Sequence, residues 1–179
     1  MNHIIALSGS NSKKSINSML LQHIMRLIDS DRVIKLSLVE DQFPMYSIDL
    51  EQESGIPIPL QVIKNKISES SALIIAVNEH NGMISAFFKN ILDWLSRADR
   101  NFLASKKILL LSTSPGKRGG ASALEYMKNT IPRYGGVIVE SFSFPSFYDH
   151  YDIEHLKITD PTMELGVKEV VASFMHQLS

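Results

Sequence analysis

The chain contains no cysteine. Disulfides, thiolate chemistry and cysteine-ligated zinc or iron–sulfur sites are therefore excluded. Neither sign of charge dominates: 18 Lys and Arg stand against 19 Asp and Glu, a formal net charge of -1. No global basic field marks a nucleic-acid binder. The strong acidity of an electron carrier that docks on basic partners is missing too. No apolar run approaches the roughly 20 residues that a bilayer span needs. The opening MNHIIALSGS has neither the apolar length nor the A-x-A-like site of a signal peptide. Glycine is sparse, at nine residues, and neither G-x-x-x-x-G-K-[ST] nor G-x-G-x-x-G occurs. The P-loop and the usual dinucleotide fingerprint are thus absent. So are the G-x-S-x-G elbow of serine hydrolases and any metal-binding histidine spacing. These absences predict a cytoplasmic protein with no nucleic-acid partner and no membrane partner.

What is present fits one globular domain spanning residues 1–179, of which 44% are hydrophobic. Apolar, β-branched runs at 3–8, 32–39, 71–77, 106–114 and 135–142 read as strands. Helical spacing follows the first run to about Asp29. It recurs after Pro59, over 86–98, over 121–131 and over 161–177. Residues 40–59 and 143–160 read as irregular; the first stretch is long enough for a loop lying over a site. Strands alternating with helices predict an α/β fold, a parallel sheet with helices on both faces. Ligands of such sheets sit beyond the carboxyl ends of the strands, where the winding direction reverses. The segments after strands one, three and four are the unusual ones, and they would meet at that edge.

The first of these, SGSNSKKSIN at 8–17, is crowded with side-chain donors. Ser8, Ser10, Ser12 and Ser15 carry hydroxyls, Asn17 an amide, and Gly9 permits unusual backbone geometry. The following helix, from Ser15 onward, offers free N–H groups and a positive dipole end. A monophosphate placed there finds several donors at once, with Lys13 and Lys14 adding long-range attraction. The plainer reading is that Ser15 or Asn17 only caps a helix.

The second segment, NEHNGMIS at 78–85, breaks after the most apolar strand. Glu79, His80 and Asn81 are placed to flank a flat ring, and Asn81-Gly82 is a tight-turn signal. The alternative is a bare turn with a surface histidine. Phe87, Phe88, Ile91 and Trp94 recur at helical spacing, which marks core or interface more often than cofactor contacts. The third segment, SPGKRGGAS, places Ser114, Pro115, Gly116, Gly119 and Gly120 where backbone can approach a ligand, with Lys117 and Arg118 available to phosphates of a second substrate. A flexible surface turn is the competing reading. No acid–base machinery stands out, so the ligand itself is expected to carry the chemistry. Phe144, Phe147, Tyr148, His150 and Tyr151 line a pocket or serve ordinary packing.

Taken together, the three segments resemble the NAD(P)H-dependent FMN reductase family, which includes small azo-, quinone- and chromate-reducing flavoproteins. The family's first loop usually reads G-S-x-R-x-x-S-x-N; Gly9, Ser10, Ser15 and Asn17 match it, and Ser12 stands in place of the arginine. Its second segment usually reads P-E-Y-N-G-S and leads to L-K-N-A-I-D-W. Glu79, Asn81, Gly82, Lys89, Asn90, Asp93 and Trp94 match, whereas Asn78 replaces Pro and His80 replaces Tyr. SPGKRGGA and FPMYSIDLE resemble the family's third loop and the stretch after its second strand.

The resemblance implies a flavodoxin-like three-layer sandwich with five parallel strands in the order 2-1-3-4-5. It implies FMN with its phosphate among Ser10, Ser12, Ser15, Ile16 and Asn17, and its ring against 78–82 and 114–120. NADPH or NADH would supply hydride, passed on to a quinone, azo, metal-oxyanion or free-flavin acceptor. A homodimer or homotetramer is also implied. Two other readings stay open at this level: a non-enzymatic carrier of flavodoxin type, and a flavin-binding protein that has lost the chemistry.

Overall fold

A computed structural model describes residues 3–28, 30–39 and 42–179. The central sheet has five strands: β1 (Ile4–Ser8), β2 (Val33–Leu36), β3 (Ala72–Val77), β4 (Lys107–Thr113) and β5 (Val137–Phe144). All neighbours are parallel, in the order β2-β1-β3-β4-β5. This is the flavodoxin-like arrangement. β1 and β3 are buried along their whole length. That explains their unbroken apolar runs, since both faces of such strands are covered by helices.

The two-residue period of a strand sorts these side chains cleanly. Ile4, Ala6, Ile74 and Leu111 pack with α1 (Ile16–Met25) and α7 (Pro161–Gln177) on one face. Ile5, Leu7, Ile75 and Leu110 pack with α3 (Ile58–Glu69), α4 (Ala86–Ala98) and α5 (Ala121–Thr130) on the other. Serine and aspartate side chains cap α1, α4 and α7, among others. Ser15 accepts from Ser18 N at 3.3 Å, Ser85 from Phe88 N at 3.1 Å, and Asp160 from Thr162 N at 2.9 Å.

Five details differ from the sequence expectations. α1 stops at Met25, short of Asp29, which lies outside the described residues. β2 ends at Leu36 and not at Val39. β5 runs from Val137 to Phe144, because Gly135 takes a left-handed conformation and closes the turn before it. The stretch 40–59, of which Glu40 and Asp41 lie outside the described residues, holds α2 (Ile48–Ser54). None of the residues of α2 is buried, so no apolar stripe announced it. The irregular 143–160 stretch contains α6 (Phe147–His150) and a short antiparallel pairing of Tyr151–Asp152 with Lys157–Ile158.

Candidate functional site

At the carboxyl edge of the sheet, β1 hands over to the turn before α1. Gly9 N donates to Ala76 O at 2.9 Å, which extends the β1–β3 contact by one residue. The next three serines form a chain of local bonds. Ser10 Oγ accepts from Ser12 N at 3.2 Å and Ser12 Oγ from Lys14 N at 3.2 Å, while Ser15 Oγ caps α1. A hydroxyl has one proton and two lone pairs. Each of these serines uses a lone pair on the backbone, which leaves its proton for an acceptor outside the loop. The first amides of α1, at Ile16 and Asn17, have no partner within the helix.

Asn17 does something else. Its Nδ2 donates to Thr113 O at 3.1 Å and its Oδ1 accepts from Thr113 N at 2.9 Å. This buried two-bond clasp ties the start of α1 to the end of β4, two strands away. Asn17 therefore holds the wall of the site, with both amide atoms committed.

The segment after β3 forms a two-residue hairpin, Glu79–His80 paired with Met83–Ile84. Asn81 (φ 52°) and Gly82 (φ 78°) occupy its tip with positive φ at both central positions, as the tightest hairpin turns require. Glu79 Oε2 accepts from Ser122 N at 2.8 Å and Ala123 N at 3.1 Å. The carboxylate thus caps α5, at the end of the helix where a negative charge is most favourable. Asn78 is 7% exposed; its Nδ2 lies 3.3 Å from His80 Nε2 and its Oδ1 has no partner. A buried amide oxygen left unpaired costs about 1–3 kcal/mol, so it calls for a donor from a ligand.

Ser10, Ser12, Ser15, Ile16, Asn17, Asn78, Glu79, His80, Ser114 and Pro115 surround one cavity of about 250 Å³. Ten of the fifteen expected positions thus converge on one place. Asn81 and Gly82 do not line it, standing instead at the exposed hairpin tip. Nor do Gly116, Gly119 and Gly120. Gly119 was expected to let backbone approach a ligand, but it faces the sheet. A Cβ there would sit 2.5 Å from Ser143 Oγ and 2.8 Å from Phe144 backbone, at a φ of +56°. Close packing on β5 at a positive φ is by itself enough to require glycine at 119. Gly120 is likewise pressed against Ser112, 3.1 Å from a Cβ built on it.

The sequence profile of the NADPH-dependent FMN reductase family matches residues 2–149. The chain belongs to that family. It is therefore an oxidoreductase, with FMN and a reduced nicotinamide as its cofactors. Among curated relatives, the quinone reductase of Escherichia coli is 27% identical over 128 residues, 72% of this chain and 68% of that protein. An NADPH:quinone oxidoreductase of Arabidopsis thaliana is 33% identical over 121 residues, 66% of this chain and 61% of that one. The fold matches that of FerB, a flavoenzyme NAD(P)H:(acceptor) oxidoreductase of Paracoccus denitrificans, with a TM-score of 0.80 and 24% identity over 99% and 97% of the two chains.

The cavity has a further wall. Tyr148 lines the cavity, from the segment that follows β5. Ser146 N donates to Gly116 O at 3.0 Å and Phe147 N to Ser114 O at 3.1 Å, which fastens that segment to the loop after β4. Phe144, Phe147 and Tyr151 are core residues, so only Tyr148 of the aromatic group turns to the site. Lys14 and Thr113 also border it.

The family-like stretch of α4 anchors the 43–51 segment. Asn90 Oδ1 accepts from Tyr46 N at 2.8 Å, its Nδ2 donates to Pro44 O at 2.9 Å, and Trp94 Nε1 donates to the same carbonyl at 2.8 Å. Tyr46 stands edge-on to Trp94, with ring centroids 5.1 Å apart. Arg97 Nε donates to Glu51 Oε2 at 2.8 Å, and Tyr46 OH to the same oxygen at 2.9 Å. The hydrogen bond from Arg97 holds the Glu51 carboxyl below its usual range. Partial burial, with the Glu51 hydrogen bond behind it, raises Tyr46. Asn90 and Trp94 are thus anchors of the 43–51 stretch, and Phe88 and Trp94 are core residues, not surface aromatics.

Proposed function

We propose that the protein passes hydride from a nicotinamide to bound FMN and on to a small oxidised acceptor, of which quinones are the leading class. The carrying observation is the convergence around one cavity of a hydroxyl cradle, an unpaired buried amide oxygen and an aromatic wall. FMN supplies the two-electron chemistry when bound. The chain's own residues bind and orient. Ser10, Ser12 and Ser15 offer three free hydroxyl protons, supplemented by the α1 amides and Lys14, to a terminal phosphate. Asn78 Oδ1 accepts from a ring N–H, a role proline cannot fill. His80 and Pro115 border the ring, and Tyr148 closes the far side of the cavity.

Ser12 lacks the charge of an arginine, and Lys14 at the cavity rim supplies one cation in compensation. Quinone reduction is favoured by the named activities of the relatives in Escherichia coli and Arabidopsis thaliana. The test is spectroscopic and kinetic. Purified protein is expected to carry flavin absorption that bleaches on anaerobic addition of NADPH and returns with a benzoquinone. A colourless protein that fails to quench added FMN fluorescence overturns the reading. Bleaching without turnover supports the carrier alternative.

A further inference from the structure

We infer a second binding site, for the adenosine 2′-phosphate end of NADPH, on the α1 side of the first loop. The inference rests on the reductase reading of the neighbouring cavity. Ser8 continues the alternation of Ile4 and Ala6 and turns to the α1 face of the sheet. There it lines a separate cavity of about 290 Å³, together with Lys13, Ser18, Gln22, Lys35 and Ser37. Ser8 is 8% exposed and its hydroxyl has no partner. In a folded core such a group is normally satisfied, so it marks a place where a ligand completes the bonding.

The lining has the chemistry of a phosphorylated nucleoside. Lys13 and Lys35 come from different elements, and neither pairs with a carboxylate among the described residues. Among the described residues, no Asp or Glu borders the cavity. Hydroxyls and the Gln22 amide suit a sugar phosphate, and Leu36, Leu38 and Val39 give an apolar wall for a purine face. The volume lies at the lower end of small-ligand sites. It suits part of a dinucleotide and not the whole.

Position completes the argument. Ser10 and Ser12 border both this cavity and the FMN site, so the two are separated only by the first loop. A cofactor that is longer than FMN, and that must lay its nicotinamide on the flavin, runs from one cavity over the loop into the other. The 2′-phosphate distinguishes NADPH from NADH, and the two lysines are placed to read it.

The experiment uses FMN-loaded full-length protein and compares kcat/KM for NADPH and NADH in the wild type, Lys35→Ala and Ser8→Ala. Removing one charged hydrogen-bond donor is expected to lower kcat/KM for NADPH by about tenfold in Lys35→Ala, through KM, with the NADH value and flavin occupancy unchanged. Ser8→Ala should lower it by about threefold to tenfold. Calorimetry with adenosine 2′-monophosphate, adenosine 5′-monophosphate and inorganic phosphate supplies a readout independent of turnover. Preferential binding of the 2′-isomer, lost in Lys35→Ala, supports the site. Equal binding of inorganic phosphate alone assigns the cavity to a free anion and overturns it. An unchanged NADPH-to-NADH ratio in both variants, with flavin bound and turning over, also overturns it. A wild type without flavin or turnover refutes the reductase reading instead, and the calorimetric comparison then decides this one.

Discussion

The loop after β1 and the loop after β4 looked alike as ligand-binding turns, and the fold uses them in opposite ways. The first spends its side-chain lone pairs on its own backbone and keeps three hydroxyl protons for the cavity. The second buries two of its three glycines, Gly119 and Gly120, where an added Cβ would meet Ser112, Ser143 and Phe144. Only Ser114 and Pro115 of that loop reach the cavity. Small residues in a loop thus record close approach, but what approaches is as readily a neighbouring strand as a ligand.

The strongest way to break this contrast is Gly119→Val. Overpacking against Phe144 backbone together with a strained φ should cost about 2–5 kcal/mol, read as a lower urea midpoint. An unchanged midpoint with flavin occupancy lost would instead place Gly119 at the ligand. In the first loop the opposite pattern is expected. Ser10→Ala combined with Ser12→Ala should weaken FMN binding by about 1–3 kcal/mol by fluorescence titration, with little change in melting temperature. A smaller effect sharpens how the second loop is held. Glu79→Gln removes a charge from the start of α5 and should cost about 0.5–1 kcal/mol of stability, leaving FMN affinity near the wild-type value.

The smallest effect belongs to a region outside both loops. Arg97 lowers the proton affinity of Glu51 in the folded state. Their contact therefore adds stability above the ordinary carboxylate range and loses it as pH falls through the depressed native value. Arg97→Gln should flatten that acid-side slope in pH-dependent unfolding, and an identical slope in both proteins would remove the ion pair from the account.

Much of the fold was legible because β1 and β3 are covered on both faces, which forces continuous apolar runs such as HIIALS and SALIIAV. α2 was not, since a helix with no buried residue leaves no periodic stripe. For the site, hydroxyls crowded at a strand-to-helix junction pointed to the cradle from composition alone. Asn17 could be seen as a polar residue at a helix start. Its partner, Thr113, lies 96 residues away, and no local pattern encodes that pairing. Tyr148 was one of five aromatics in an irregular stretch. The hydrogen bonds of Ser146 and Phe147 to Gly116 and Ser114 fasten that stretch beside the cavity, where Tyr148 lines it.

The Asn17–Thr113 clasp bears on kinetics as well as shape. By locking two walls at a fixed separation while the chain folds, it removes the need to organise them when a visitor arrives. Capture then loses little conformational freedom, and the same rigidity should favour a rapid, lock-like encounter over slow closure.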